Sequence, residues 1–232
     1  MGTSQPVEPV ESAAPACAPR RASRPRADAL RNRERIVAAG RQMFVEHGVD
    51  VPLDEIARRA GVGNATLYRH FPDRAALARE VVLSVMARAT ERAERAAAEE
   101  ADTFAAVRRF AHEAADERIG ALCPMLSGTF DHDHPELVAA RERLAEAVEG
   151  LVGRAQEAGR MRPDVAVGDL LLAVSHLTRP LPGTSCAVGI ERLVHRHLQL
   201  LLDGLEAPAR SELPGTAVTL ETLREGAGTA DA

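Results

Sequence analysis

The chain has 232 residues, 45% of them hydrophobic, and a formal net charge of −5, so it is long enough for one small and one medium domain with apolar cores. Its three cysteines, Cys17, Cys123 and Cys186, form no C-x-x-C pair, which argues against a disulfide framework and a zinc site and predicts a reducing, cytoplasmic environment. No apolar run is long enough to cross a bilayer, so we expect no membrane partner.

The N-terminal part predicts a leader followed by three helices. Residues 1–27 are rich in Pro, Ala and Ser and predict a disordered leader. From about Asp28 to His47 apolar residues recur on one helical face, and Gly48 predicts the end of that helix. Residues 20–80 hold 13 Arg against 8 Asp and Glu, whereas residues 81–232 have a balance of −8. The basic charge therefore lies in the N-terminal part, as a polyanionic partner would require.

Residues 53–72, LDEIARRAGVGNATLYRHFP, predict two short helices joined by a turn. Gly61 can adopt the left-handed backbone conformation that such a turn needs. Val62 and Leu67 are expected to fill the angle between the two helices. Polar and basic residues remain on the outer face of the second helix, about Asn64–His70, which suits contact with phosphates and base edges.

The longer string LDEIARRAGVGNATLYRHFPDRAAL resembles the DNA-binding signature of the tetracycline-repressor (TetR) family of bacterial transcriptional regulators, and the resemblance covers about residues 31–77. It implies an all-α protein with an N-terminal helix-turn-helix domain and a larger helical ligand-binding and dimerisation domain. It also implies a homodimeric repressor that is released from double-stranded operator DNA by an unknown small-molecule effector. We expect no cofactor and no metal.

Two positions depart from the family pattern. Val51-Pro52 stands where the family usually has Ser or Thr before the first motif helix, and Gly63-Asn64 stands where Ser usually opens the second. Proline suits a first helical turn, and glycine or asparagine can serve as an N-cap. The fold prediction is unaffected, but phosphate contacts at positions 52 and 63 do not carry over.

Seven residues are candidates for contact with DNA. We expect the side chains with hydroxyl groups, and the basic residues that match phosphate-contacting positions of the family, to contact phosphates. The remaining candidates are expected to contact base edges. Arg69 could read a base or only neutralise a phosphate, and the sequence leaves both open. The candidates for phosphate are Thr66, Tyr68, His70 and Arg74, and those for bases are Asn64, Ala65 and Arg69.

Asp73 is a good N-cap for a long helix that runs to about Glu100 and links the two domains. No strand-like alternation follows it. Further helices are predicted over about Thr103–Leu122, Pro135–Ala158, Val165–Thr178 and Ala187–Leu205. The predicted division is a leader over 1–27, a DNA-binding domain over 28–75, a regulatory and dimerisation domain over 76–206, and a disordered tail over 207–232.

Two sites are predicted in the second domain. The last helix carries an apolar stripe at spacings of three and four, which lies either on its own core or, as the resemblance favours, in a dimer interface. An effector pocket is implied by the resemblance, although its candidate residues could also be close-packed core. The interface candidates are Ile190, Leu193, Val194, Leu198 and Leu201; the pocket candidates are Phe104, Phe110, Leu122, Met125, Phe130, Leu137 and His176.

Other chemistries find little support. The run Asp131-His132-Asp133-His134 could hold a metal, but neighbouring side chains diverge, and a polar loop with a helix cap before Pro135 is favoured. No Ser-His-Asp set, phosphate loop or carboxylate pair stands out. An enzyme or ligand carrier with a vestigial helix-turn-helix is the alternative.

Overall fold

The computed structural model describes residues 2, 24–48, 50–118, 131, 133–179 and 190–222. This part is helical, apart from one isolated β-bridge between Met161 and Glu206, which confirms the all-α prediction. None of its helices is both long and apolar enough to traverse a lipid bilayer. The helices are α1 (Arg24–His47), α2 (Leu53–Ala60), α3 (Asn64–His70), α4 (Arg74–Glu99), α5 (Thr103–Asp116), α6 (Pro135–Glu157), α7 (Val167–Leu177) and α8 (Ile190–Leu205).

Helices α1–α3 and the start of α4 enclose one apolar core. The largest side chains in it are fully or almost fully buried, because each helix turns one apolar face inward. Helix α1 begins four residues before the predicted Asp28 and ends at His47. The next residue, Gly48, has a φ of +82°, in the left-handed region. The core residues include Ile36, Phe44, Ile56, Leu67, Phe71 and Leu77.

Helix α4 belongs to two cores. Asp73 caps it as predicted, since its carboxylate accepts a hydrogen bond from the Ala76 amide at 2.8 Å. Leu77 and Val81 lie in the N-terminal core, whereas Ala93 and Ala96, further along the same helix, lie in the second core with α5–α8. One continuous helix therefore joins the two halves of the molecule.

Helix α5 ends at Asp116, six residues before the predicted Leu122. Arg118 has a φ of +51°, and a left-handed residue cannot continue a right-handed helix. After the gap in the described residues, His134 caps α6 by accepting a hydrogen bond from the Glu136 amide at 3.4 Å. This hydrogen bond agrees with the prediction that residues 131–134 form a polar loop with a helix cap rather than a metal site.

The segment after α8 corrects the prediction of a disordered tail for residues 207–222, which pack on the second core. Arg162 donates to the Ser211 carbonyl at 2.7 Å, and the Val218 amide donates to the Asp169 carboxylate at 3.2 Å. A Cβ added to Gly168 would lie 2.3 Å from the Val218 carbonyl oxygen, so this approach requires glycine. The composition of this segment did not indicate that it packs on the core, because few of its residues are apolar.

Candidate nucleic-acid interface

The turn between α2 and α3 is built by a glycine in the left-handed conformation. Gly61 has φ +64° and ψ +37°. Its amide donates to the Arg58 carbonyl at 3.1 Å, and the Val62 amide donates to the Ala57 carbonyl at 3.0 Å, a Schellman closure of the helix end. Arg35 of α1 donates to the Gly61 carbonyl at 3.1 Å and fixes the turn against the first helix. The predicted role of Gly61 is confirmed.

Helix α3 has one buried anchor and an exposed outer face. Leu67 is fully buried, whereas the Tyr68 residue beside it is 48% exposed. Thr66 and His70 are half-buried at the edges of that face. The outer face defined by these positions carries Asn64, Ala65, Tyr68 and Arg69, all exposed.

The basic groups around α3 differ in their partners. Arg33 lies over the Phe71 ring, 4.7 Å from its centroid, and pairs with Glu80 at 2.7 Å. Arg69 forms no ion pair with any residue that the structure describes. An exposed and unpaired guanidinium on the outer face is available to an external anion.

Arg74 has a structural contact that sequence reasoning missed. Its guanidinium is half-buried and donates to the Val51 carbonyl at 2.7 Å, which ties the start of α4 to the loop before α2. Nothing in the local pattern shows this contact, because it joins residues 23 apart in sequence. Its predicted contact with a DNA phosphate stays a prediction.

A buried carboxylate links the two cores beside α4. The Glu117 side chain is 5% exposed, and its Oε1 lies 2.6 Å from Nη2 of both Arg88 and Arg92. Its Oε2 lies 3.6 Å from Nη1 of Arg41 in α1. Burial opposes ionisation of Glu117, but the hydrogen bond from Arg88 and the neighbouring guanidinium charges outweigh it and hold the pKa of Glu117 below its ordinary value. The end of α5 is thereby tied to α1 and α4.

The predicted pocket residues do not form one site in the described part. Phe104 and Phe110 are buried in the second core, and Leu137 of α6 is also buried. His176 is exposed on α7, and its assignment to a pocket stays a prediction. Leu122, Met125 and Phe130 lie outside the described residues.

Two clefts occur elsewhere on the described surface, and neither contains a predicted pocket residue. A cleft of about 390 Å³ is lined only by charged side chains. A second, of about 220 Å³, lies where residues 219–220 pass over α6 and the start of α7. The charged lining is Arg88, Glu91, Arg92, Arg95 and Glu113.

The predicted interface stripe on α8 divides into two faces. Leu198 is fully buried in the second core, which corrects its assignment to a dimer interface. Leu193 is 54% exposed, and Val194 and Leu201 are half-buried. Leu200, 61% exposed, was missed, although its spacing of seven from Leu193 places both on one helical face. Ile190 begins α8, but its side chain lies outside the described residues.

This geometry defines a class of protein: a helix-turn-helix DNA-binding regulator with a separate helical domain. Residues 36–81 match the family described as bacterial regulatory proteins, tetR family. Residues 100–207 match the C-terminal domain described as transcriptional regulator SbtR-like. The chain belongs to the TetR family, whose members are DNA-binding transcriptional regulators and not enzymes.

Similar proteins agree with this assignment. A TetR transcriptional regulator from Streptomyces coelicolor is 30% identical, with a TM-score of 0.57 over 76% of this chain and 99% of that one. One from Mycobacterium vanbaalenii is also 30% identical, with a TM-score of 0.56 over 78% and 99% of the two chains. The regulator LfrR from Mycobacterium smegmatis, solved with proflavine, shares the fold at 21% identity and a TM-score of 0.56 over 79% and 99%.

Curated relatives match over a shorter stretch. An HTH-type transcriptional regulator from Staphylococcus aureus is 43% identical over 53 residues, which are 22% of this chain and 29% of that protein. The chain thus spans about 30% of the length of the curated relatives that it matches.

Proposed function

We propose that the protein is a homodimeric TetR-type repressor that acts in the bacterial cytoplasm and leaves its operator when a small molecule binds. The observation that carries the proposal is the construction of α3, in which Leu67 is fully buried while Tyr68 and Arg69 face outward. A seven-residue helix is about 10 Å long, which suits a major groove about 12 Å wide.

The residues on the outer face of α3 fall into two groups: those that can fix the helix on the DNA backbone and those that can contact bases. The Tyr68 and Thr66 hydroxyls and the His70 ring can meet phosphate oxygens, which fixes the helix without conveying sequence. Asn64 and Ala65 lie at the start of α3, where recognition helices meet base edges. Arg69 has no ion-pair partner among the described residues and can reach either a guanine edge or a phosphate.

The proposed dimer places two copies of α3 about 34 Å apart, in successive major grooves. The outward face of α8 supports this, because Leu193 and Leu200 are large apolar side chains left exposed in the single chain. Val194 and Leu201 border them and are half-buried. Apolar side chains on one helical face are suited to pairing with the same face of a second copy.

Release by an effector requires a path from the second core to α3. Helix α4 provides one rigid path, and the ion pair between Glu117 and Arg41 provides a second path. The solved relative that holds proflavine supports a small-molecule effector. Phe104 and Phe110 of α5, both buried in the second core, are the proposed contacts of the effector. A ligand can act only through unequal affinity for the DNA-competent and DNA-incompetent states.

Footprinting on the DNA beside the protein's own gene tests the proposal. We expect one protected inverted repeat, with an affinity that falls steeply as salt rises, since each phosphate contact releases condensed counterions. A duplex of the same composition with a scrambled repeat serves as the control. The absence of a protected repeat at about 50 mM salt, where phosphate contacts are strong, would refute the proposal.

A further inference from the structure

A cleft lined by charged side chains lies between α4 and α5, and we call it the charged cleft. Four of its lining residues come from α4, and Glu113 comes from α5. Ligand sites in proteins range from about 300 to 1,000 Å³, and the volume of this cleft is about 390 Å³. It is therefore large enough for a small molecule.

Three arginines of α4 form one side of the charged cleft. Arg88, Arg92 and Arg95 follow one another at spacings of four and three residues. Side chains at these spacings are neighbours on one face of a helix. The guanidinium group stays protonated at every physiological pH. Helix α4 thus presents a row of three permanent positive charges over two turns.

Two carboxylates also line the charged cleft, Glu91 and Glu113. Glu113 already has a partner, because Nε of Arg109 lies 3.0 Å from its Oε1. Glu91 is exposed on α4, where water and salt screen its charge. The lining, with three guanidinium groups against two carboxylates, therefore favours an anion over a cation.

Two of the three arginines have unused hydrogen-bond donors. Arg88 donates through Nε and Nη2 to Oε1 of Glu117 at 2.9 and 2.6 Å, and its Nη1 has no partner within the described residues. Arg95 is exposed and has no ion-pair partner in that part of the chain. Arg92 is already engaged, because it donates to the Glu117 carboxylate and to the Glu113 carbonyl.

We propose that the charged cleft binds a small acidic molecule, whose phosphate or carboxylate group accepts from Nη1 of Arg88 and from the Arg95 guanidinium. Guanidinium groups match both kinds of oxyanion, and such charge-assisted hydrogen bonds are stronger than neutral ones. No apolar side chain lines the cleft, so it does not suit an apolar ligand. The site is separate from Phe104 and Phe110, which are buried in the second core.

Glu117 connects this anion site to α1. Arg88 holds Oε1 of Glu117, and Oε2 lies 3.6 Å from Nη1 of Arg41. An anion on Arg88 competes with Glu117 for the same guanidinium and repels its carboxylate, so the bound anion weakens the link to α1. The coupling is reciprocal, so removal of the Glu117 charge strengthens anion binding. The effect on operator DNA rests on the proposed function, whereas the binding of the anion does not.

Isothermal titration calorimetry on the full chain, without DNA, tests the site. The probes are inorganic phosphate and citrate, each compared with sodium chloride at the same ionic strength. Arg95→Gln should weaken binding of the anion about fivefold. The control Arg143→Gln, which changes an exposed arginine of α6 outside the cleft, should stay within about twofold of wild type.

The two probes distinguish the acidic groups. Binding of phosphate alone assigns the cleft to phosphate-bearing ligands, binding of citrate alone assigns it to carboxylates, and binding of both supports a general oxyanion site. Binding of neither probe above the chloride control overturns the proposal. Equal losses in the Arg95 and Arg143 variants would also overturn it, because they would show a response to net charge alone.

Glu117→Gln tests the link to α1. This variant should bind the anion about fivefold more tightly, because Arg88 is released from its charged partner. An affinity equal to or below that of wild type contradicts the link.

Operator affinity gives a second test that does not depend on the folding of the Glu117 variant. The anion should weaken binding of the wild type to the footprinted repeat about fivefold relative to chloride, and that of Arg95→Gln less than twofold. Equal weakening in both would refute regulation through the cleft. If footprinting finds no repeat, the proposed function fails, while calorimetry still decides the anion site.

Discussion

Helices α3 and α8 are built alike but present different outer faces. Each has a fully buried leucine, Leu67 in α3 and Leu198 in α8, that fixes the helix on its own core. Beside these anchors, Tyr68 is 48% and Leu193 54% exposed. The outer face of α3 is polar and basic, whereas that of α8 is partly apolar. The comparison shows that the buried leucines determine only where each helix lies, while the exposed residues determine what it can bind.

The largest expected effects come from charging the two anchors. Leu67→Asp and Leu198→Glu each place an unpaired carboxylate in an apolar core, which should cost about 4 kcal/mol or more of unfolding free energy. Chemical denaturation followed by circular dichroism measures the loss. The exposed controls Tyr68→Asp in α3 and Arg196→Gln in α8 should stay within about 1 kcal/mol of wild type. Equal losses at inner and outer positions would refute the two-faced description of both helices.

The next effect concerns the link between the cores. Glu117→Gln leaves Arg41 and Arg92 without their buried partner and should cost about 3 kcal/mol of unfolding free energy at neutral pH. The pKa of Glu117 is depressed in the folded protein, so its contribution is present above the ordinary glutamate value and is lost as pH falls through the folded value. The difference between wild type and variant should therefore shrink in acid. A difference that stays constant down to acid unfolding would contradict this.

The outer face of α8 gives the third prediction. Leu193→Glu should weaken dimerisation by about 10- to 100-fold, because a charge replaces an apolar contact at the proposed interface. Sedimentation or light scattering at micromolar concentration measures the mass. Glu212, in the segment after α8, is also exposed, and Glu212→Gln serves as a surface control. A dimer of unchanged stability in the Leu193 variant would place the interface elsewhere.

The fourth prediction concerns the outer face of α3. Arg69→Ala should cost about 1–3 kcal/mol of operator binding and relax preference at one base pair if Arg69 reads a guanine. If Arg69 only neutralises a phosphate, the slope of log affinity against log salt should fall by about one while base preference stays. Competition between operator variants at two salt concentrations separates these outcomes. Unchanged binding in both assays would remove Arg69 from the interface.

The smallest effect is expected at Tyr68. Tyr68→Phe removes one hydroxyl and should weaken binding to all duplexes by about 0.5–1.5 kcal/mol, because a phosphate contact carries no base information. The ring remains, so the stability of the domain should not change. Loss of affinity for one operator variant alone would show that the hydroxyl reads a base.

The two faces also differ in how far the sequence predicts them. Helix α3 follows from a local string, since Gly61, Leu67 and the outer residues lie within one short motif whose geometry is set by neighbours in sequence. The inner face of α8 depends on which helices pack against it, and a stripe at spacings of three and four does not distinguish core from interface. Leu198 was therefore misassigned, and Leu200 was missed.

Polar contacts between residues far apart in sequence could not be predicted either, because they also depend on which helices pack together. Glu117 is one of several acidic residues near the end of α5, and its partners come from α1 and α4. Similarly, His112 of α5 lies against His195 of α8, and these two residues are 83 apart in sequence. Such groups become recognisable only when the packing of the helices is known, whereas caps such as Asp73 and His134 are visible in a window of a few residues.

The 26-residue α4 can also be considered as a lever. At about 1.5 Å per residue it is about 39 Å long, and its far end is fixed among the alanines of the second core. A tilt of about 5° about that end displaces the end near Asp73 by about 3.4 Å, which is the rise of one base along a DNA strand. A rearrangement too small to disturb the packing of the second core would thus shift α3 by a full base step.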